Sequence, residues 1–390
     1  MQPDAPPHVG LRALVDRPRL AILGSRGLPA RYGGFETFVE ELAPRLVARG
    51  VDVTVFCEDV RGPKPTTYRG VDLRYVRAWA PGPARTIQFD VSCLRHAARD
   101  FDVVYLLGYG AVFAAELGRR HGAQLWVNPG GLEWRRSKWG SKARAWLRRM
   151  ERFACRAADR MVFDNGALAR EITARHGVRS SATIAYGTPI LAGPQPVEPL
   201  LAWGLRPGHY DIVVCRFEPE NHLLEIVRAH RAAAPDLPLV IVSDDTLESD
   251  YVRATRAAAG PEARFIGTVY EADVLQPLRH HARAYLHGHS VGGTNPSLLE
   301  AMGAGSPVLA ADNEFNREVL GAQGRYWSDG PTLERELRDL GRLPHALRAS
   351  VGRAHQARAR RHYNWDTIAD EYHALILGDV ARAPLGRAAA

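Results

Sequence analysis

The chain has 390 residues, 46% hydrophobic and 24% charged, which suits two or three globular domains and excludes a disordered chain. A formal net charge of +8 favours anionic partners without choosing among nucleotides, nucleic acids and membrane surfaces. Four cysteines without CxxC spacing, and no apolar run near the roughly 20 residues that cross a bilayer, exclude a disulfide scaffold and a transmembrane span.

Residues 1–18 are Pro-rich, lack a signal-peptide core and read as a loose arm, so a cytoplasmic protein is expected. Residues 20–23 read as a buried strand, 35–48 as a helix and 51–56 as the next strand. This strand–loop–helix–strand unit opens a doubly wound sheet. Strands are expected at 71–76, 103–107, 124–127, 160–163 and 181–185, and helices at 86–99, 144–158 and 167–176. The segment 187–207 holds five prolines and is the domain linker. A second cycle follows, with strands at 210–215, 239–242, 264–266, 282–286 and 307–310 and helices at 222–233 and 296–303. A helix over 365–377 completes the second domain or packs back on the first, and residues from 380 read as a frayed tail. The expected units are an arm (1–18), an N-terminal domain (19–187), a linker (188–207), a C-terminal domain (208–360), a terminal helix (361–379) and the tail (380–390). The fold class is α/β, with two Rossmann-like domains facing across a cleft.

Two glycine-rich loops carry the chemistry. The first, Gly24 to Glu36, follows the first strand and includes Gly27, Gly33 and Gly34, with Arg26 and Arg31 adding positive charge. A helix N-terminus after such a loop favours an anion, though a conformationally demanding loop that binds nothing would read the same. Its spacing is neither GxGxxG nor GxxxxGK[ST], which weakens dinucleotide and P-loop readings. The second loop runs from Gly288 to Glu300. Gly292 and Gly293 admit a diphosphate close to backbone amides, Thr294, Asn295 and Ser297 add short polar groups, and Glu300 is placed to grip sugar or ribose hydroxyls. Arg216 follows a strand, where α/β folds bind ligands, and supplies a permanent cation. His287 and His289 have no Cys/His cluster around them, so no metal site is expected.

Residues 134–152 form a basic stretch interleaved with Trp134, Trp139 and Trp146. It reads either as a face for anionic lipid or as a soluble basic helix with its tryptophans packed inward. No RNP, zinc-finger or KH signature accompanies it, so no specific nucleic acid is expected.

Six stretches carry a family resemblance: residues 24–42, 128–139, 215–221, 265–270, 287–302 and 315–319. Through them the chain resembles bacterial retaining glycosyltransferases of the GT-B, family-4 type, closest to the capsule and cell-wall rhamnosyltransferase branch, over about residues 20–375. The resemblance implies a GT-B fold, acceptor binding by the N-terminal domain and nucleotide-sugar binding by the C-terminal one. The expected activity is transfer of L-rhamnose, with retention, from dTDP-β-L-rhamnose to an undecaprenyl-diphosphate-linked or other glycan acceptor. No cofactor is expected beyond that donor substrate, and the enzyme is expected to be peripheral on the inner membrane face. Arg216 and Glu300 are the expected catalytic residues. Gly33, Gly34, Asn221, Gly292, Gly293, Thr294, Asn295 and Ser297 join them in donor binding. Arg31, Tyr32, Glu36, Asn128, Glu133, Trp134 and Arg135 are expected at the acceptor. The chain departs from the branch at Gly130, where relatives often carry Asp, and from the wider family at Asn221 and Gly292, where Lys and an acidic residue are usual. UDP- or GDP-hexose donors, and a catalytically weak sugar-nucleotide-binding scaffold, stand as alternatives.

Overall fold

The computed structural model describes residues 17–382 except 31, 32, 83, 98, 99, 119–121, 235, 245 and 247. Strands β1 (Arg19–Leu23), β2 (Asp52–Glu58), β3 (Thr67–Tyr68), β4 (Val71–Val76), β5 (Val103–Leu107), β6 (Gln124–Asn128), β7 (Arg160–Phe163) and β8 (Ser181–Thr183) build the first sheet. Their order is β3-β4-β2-β1-β5-β6-β7-β8, parallel except for β3. Strands β9 (Asp211–Val214), β10 (Leu239–Val242), β11 (Ala263–Phe265), β12 (Ala284–His287), β13 (Val308–Ala311) and β14 (Arg325–Trp327) build a second, all-parallel sheet ordered β11-β10-β9-β12-β13-β14. Strand order reverses beside β1 in one sheet and beside β9 in the other. Crevices open at such switch points, outside the carboxyl ends of the strands.

Alternation along β1 shows why the first sheet is covered on both faces. Leu20 and Ile22 enter one core with Phe38, Val39 and Leu42 of helix Gly34–Ala48. Ala21 and Leu23 enter the opposite core with Phe89, Cys93 and Leu94 of helix Ala84–His96. Continuous apolar strands of this kind suit parallel sheets, whose crossover helices bury both faces.

Helix Trp365–Arg382 returns to the first domain and lies against helix Gly34–Ala48. Trp365 and Tyr372 join Phe38 and Tyr186 in an aromatic cluster with ring centroids 4.9–6.3 Å from Phe38. Arg49 Nε donates to Asp370 at 2.6 Å, and Arg160 Nε and the Trp126 indole donate to Asp379 at 2.7 and 3.0 Å. The helix runs on to Arg382, past the expected start of the tail at residue 380, with Asp379 anchoring its last turns, and residues 383–390 of that tail lie outside the described residues. The expected arm lies outside the described residues except for its last two positions. The linker carries a short helix, Glu198–Leu201.

Candidate active site

The carboxyl ends of β1, β6 and β7 face those of β9 and β12, and the loops between them touch. Ideal Cβ positions on Gly34 and Gly131 lie 3.7 Å from Pro296 and 3.6 Å from the Gly292 backbone. Thr294 Oγ1 donates to the Asp164 carbonyl at 2.5 Å. Ser137 Oγ donates to Glu220 at 2.7 Å, and Arg136 reaches Glu218 at 3.4 Å. Gly292 and Gly293 hold φ +67° and +68°, and a Cβ on either would strike Leu132 N at 2.6 Å or the Asp164 carboxylate at 2.8 Å. The donor-side loop therefore needs glycine for backbone conformation and for close approach at once.

Arg216 stands two residues beyond β9 with its side chain 44% exposed, held by Glu218 at 3.4 Å. Beneath it, Asn221 donates to the Arg216 carbonyl at 2.8 Å and pairs through its oxygen with His289 Nδ1 at 2.8 Å. Asn221 thus fixes the loop that presents Arg216. Burial drives His287 down to about 3, and burial together with the positive charge of Arg136 and Arg216 drives His289 down to about 4. Both rings are neutral at pH 7, which leaves Arg216 as the half-exposed cation of this wall.

Helix Pro296–Gly303 aims its N-terminus at the cleft, with Asn295 capping it by accepting from the Ser297 amide at 2.9 Å. Ser297 Oγ is held between Tyr285 Oη at 2.6 Å and the Val214 carbonyl at 3.2 Å. Glu300 pairs at 2.5 Å with Arg279, a guanidinium only 2% exposed. Arg279 holds the Glu300 carboxylate at the helix face. It sits in helix Ala272–His280, which was not assigned from sequence, so nothing marked it beforehand.

On the opposite wall, Arg31 and Tyr32 lie outside the described residues. Gly33 is the N-cap of helix Gly34–Ala48, and Glu36 in its first turn accepts the Arg26 amide at 2.8 Å. Asn128 is fully buried, accepts the Gly130 amide at 2.8 Å and donates to Tyr105 Oη at 3.2 Å. Gly130 has φ +65°, and a Cβ there would lie 2.5 Å from the Phe35 ring. Phe35 occupies the space that a side chain at position 130 would enter. Glu133 binds Arg136, Lys138 and the Trp139 indole at 2.6, 3.0 and 3.1 Å. Arg135 pairs with Glu171.

Trp134 and Trp139 do not form the outward face that the basic stretch suggested. The Trp134 indole donates to Glu151 at 2.9 Å beneath the guanidiniums of Arg135, Arg148 and Arg175, 4.3–5.1 Å from its ring. Trp146 does face outward.

Sequence reasoning missed Asp164, which follows β7 directly. One carboxylate oxygen has no hydrogen-bond partner, and burial pushes its pKa up to about 7, partly offset by donation from the Thr294 amide and Tyr186. An acid immediately after an apolar strand was its only signal. Glu318, from the second domain, caps helix Gly166–His176 of the first by accepting the Ala167 amide at 2.8 Å.

A cation, a capped helix N-terminus and close-approach glycine loops suit a diphosphate. A carboxylate one turn on suits hydroxyls. Residues 212–338 match the family of glycosyl transferases group 1. Over those residues the C-terminal domain is similar to group 1 glycosyltransferases. Residues 18–189 match a domain of unknown function, DUF1972. No curated relative matches the chain. Among solved structures it is similar to sucrose-phosphate synthase from Thermosynechococcus elongatus, with TM-score 0.79 and 17% identity over 94% of this chain and 100% of that one. Anabaena HepE in complex with UDP and glucose gives 0.73 and 17%, over 93% and 100%. The UDP-forming trehalose-phosphate synthase from Burkholderia vietnamiensis gives 0.66 and 13%, over 93% and 100%. The fold is GT-B, the two-domain architecture of these glycosyltransferases.

Proposed function

We propose that the protein is a retaining glycosyltransferase that moves L-rhamnose from dTDP-β-L-rhamnose to a lipid-linked sugar. The observation that carries the transferase reading is the convergence of Arg216, the Gly292-Gly293 loop and the N-terminus of helix Pro296–Gly303 on one cleft wall, opposite Gly33-Gly34. Such a wall stabilises charge growing on a departing nucleoside diphosphate. The sugar C1–O bond to diphosphate breaks, and the acceptor oxygen bonds C1 from the same face. The acceptor proton passes to the diphosphate. No side chain at position 130 takes part, because Phe35 fills that space. Apposed domains hold the two substrates together and keep out water, which would hydrolyse the donor.

The rhamnose and dTDP assignments rest on the GGTNPSLLE likeness at residues 292–300. A UDP-hexose donor is the second reading, favoured by UDP in HepE. The lipid-linked acceptor is supported by helix Ser141–Ala157, whose exposed side carries Lys142, Trp146, Arg149, Arg152, Phe153 and Arg156. Phe113 packs edge-on against Trp146 at 5.9 Å and is 45% exposed. Among the described residues no helix is long and apolar enough to cross a membrane. Aromatic tips among cations suit the interface of an anionic leaflet.

The test is a mass-resolved transfer assay with undecaprenyl-diphosphate-glucose and dTDP-rhamnose, UDP-glucose or GDP-mannose in parallel. Addition of one deoxyhexose from the dTDP donor alone supports the proposal. Product from another donor replaces the sugar assignment. Nucleotide-sugar binding without product under any donor favours a different acceptor or a scaffold.

A further inference from the structure

Away from the donor wall, the carboxyl ends of β1, β2 and β4 are tied edge to edge. The Glu58 amide donates to the Arg26 carbonyl at 3.0 Å, and the Asp59 amide to the Val76 carbonyl at 2.9 Å. On this edge Glu58, 7% exposed, lies between two guanidiniums. Arg26 pairs with one of its oxygens, and Arg85 Nε donates to the other at 2.6 Å. Arg26 also donates to Thr86 Oγ1 at 3.1 Å. One carboxylate cannot satisfy the donors of two guanidinium forks. The Arg26 and Arg85 side chains remain 49% and 38% exposed.

Two further observations point to a ligand. Asp90, one turn beyond Thr86 on the same helix face, is 5% exposed and has a carboxyl oxygen with no partner. Burial, partly opposed by Arg26, raises its pKa to about 7, so its neutral form is well populated and offers an O–H donor. Trp79, three residues past β4, is 71% exposed, yet its backbone is fixed. Gln88 accepts the Trp79 amide at 2.9 Å and donates to the Arg77 carbonyl at 3.3 Å. A large indole held out from a braced loop is costly to leave in water and ready to receive a flat apolar face.

We propose that this edge is a subsite for a phosphorylated saccharide, its pyranose ring lying on Trp79 and its phosphate between Arg26 and Arg85. The two guanidiniums exceed the single charge of Glu58, and planar forks suit phosphate oxygens. The loop that carries Arg26 continues to Gly34, which touches Pro296 of the donor wall. The subsite is therefore joined to the cleft from the acceptor side. It rests on the transferase reading and gives that enzyme an acceptor already bearing phosphate, free or as a lipid-linked diphosphate.

Calorimetric titrations test it, with saturating dTDP or UDP, whichever the wild type binds more tightly, present to block the donor wall. The probes are α-D-glucose 1-phosphate, glucose, inorganic phosphate and farnesyl-diphosphate-glucose. Wild-type protein binds one or both phosphorylated sugars more tightly than glucose or phosphate alone, and the tighter of the two identifies free or lipid-linked phosphate as the source. Trp79→Ala and Arg85→Ala each weaken that binding about tenfold or more and leave affinity for the blocking nucleotide unchanged. Arg85→Lys, which keeps the charge and loses the fork, lies between. Wild-type affinity in both alanine variants overturns the subsite, as does binding that responds only to Arg216→Ala. Failure of the wild type to bind either dTDP or UDP strikes the transferase reading instead, and the same titrations without nucleotide still read the subsite.

Discussion

Gly130 shows what one missing side chain does to a site. Its amide is held by Asn128, its φ is +65°, and the Phe35 ring fills the space a Cβ would enter. Introducing an acid there by Gly130→Asp is therefore expected to destabilise the fold by about 1–3 kcal/mol, without raising transfer rates. Denaturant unfolding alongside the transfer assay checks both halves. Asp164 makes a second residue-scale prediction. Burial raises its pKa to about 7 in the folded chain, so its contribution to stability is complete below about pH 4 and is lost as pH climbs to 7. Replacement by Asn is expected to flatten that decline by on the order of 4 kcal/mol at most. Thr294, Tyr186 and Glu318 face the same carboxyl and modulate it. Asp90, also raised to about 7, leaves a residual slope in the variant. Unfolding midpoints from pH 4 to 8 for both proteins give the comparison. An unchanged profile in Asp164→Asn defeats the assignment.

Helix Ser141–Ala157 sets the next scale. Met150, Glu151, Ala154 and Cys155 are its buried face, which turns Trp146 and Phe153 outward. Replacing both by Ala is expected to weaken cosedimentation with anionic liposomes roughly tenfold, while raised salt weakens wild-type binding. Equal binding by the double variant removes the membrane face from the function. The basic stretch was legible in the sequence, but the direction of each tryptophan was not. Trp134 precedes the helix in a single tight turn and folds back onto Arg148 and Glu151 of that helix and onto Arg175 of helix Gly166–His176. Most strands were legible because parallel sheets demand short apolar runs, and the two glycine loops because they follow such runs; the short edge strands Thr67–Tyr68 and Arg325–Trp327 were not. Helix His345–His362 was not, since only Gly352, His355 and Ala359 are buried along it and no apolar stripe results. Helix Ala272–His280 was obscured by Pro277. Of the site, Arg216 and the glycine loops could be read locally. The pairing of Glu300 with Arg279 and the position of Phe35 over Gly130 are products of tertiary packing.

At the scale of the whole molecule, the described residues start and finish in the same lobe. Asp379 is the anchor of that return, 6% exposed and bonded to both Arg160 and the Trp126 indole. Asp379→Ala leaves a largely buried guanidinium unpaired and is expected to cost about 3–5 kcal/mol. Pairing it with Arg160→Met should recover much of that loss, as thermal unfolding of the single and double variants would show. If the single variant melts like the wild type, the terminal helix is not held in this way.

The return has a mechanical consequence. The backbone crosses between lobes at residues 187–188 and again at 363–364, and the crossings are pinned together. Thr188 and Asn364 pair in parallel, and the Thr188 amide donates to the Tyr363 carbonyl at 2.7 Å. Two adjacent strands fastened side by side behave as the pin of a door. Bending about that pin leaves their pairing intact, whereas twisting one lobe against the other shears it. Any opening is therefore expected to turn about that pin and to part the Thr294–Asp164, Ser137–Glu220 and Glu318–Ala167 contacts, an excursion that one spectroscopic ruler spanning the lobes would follow.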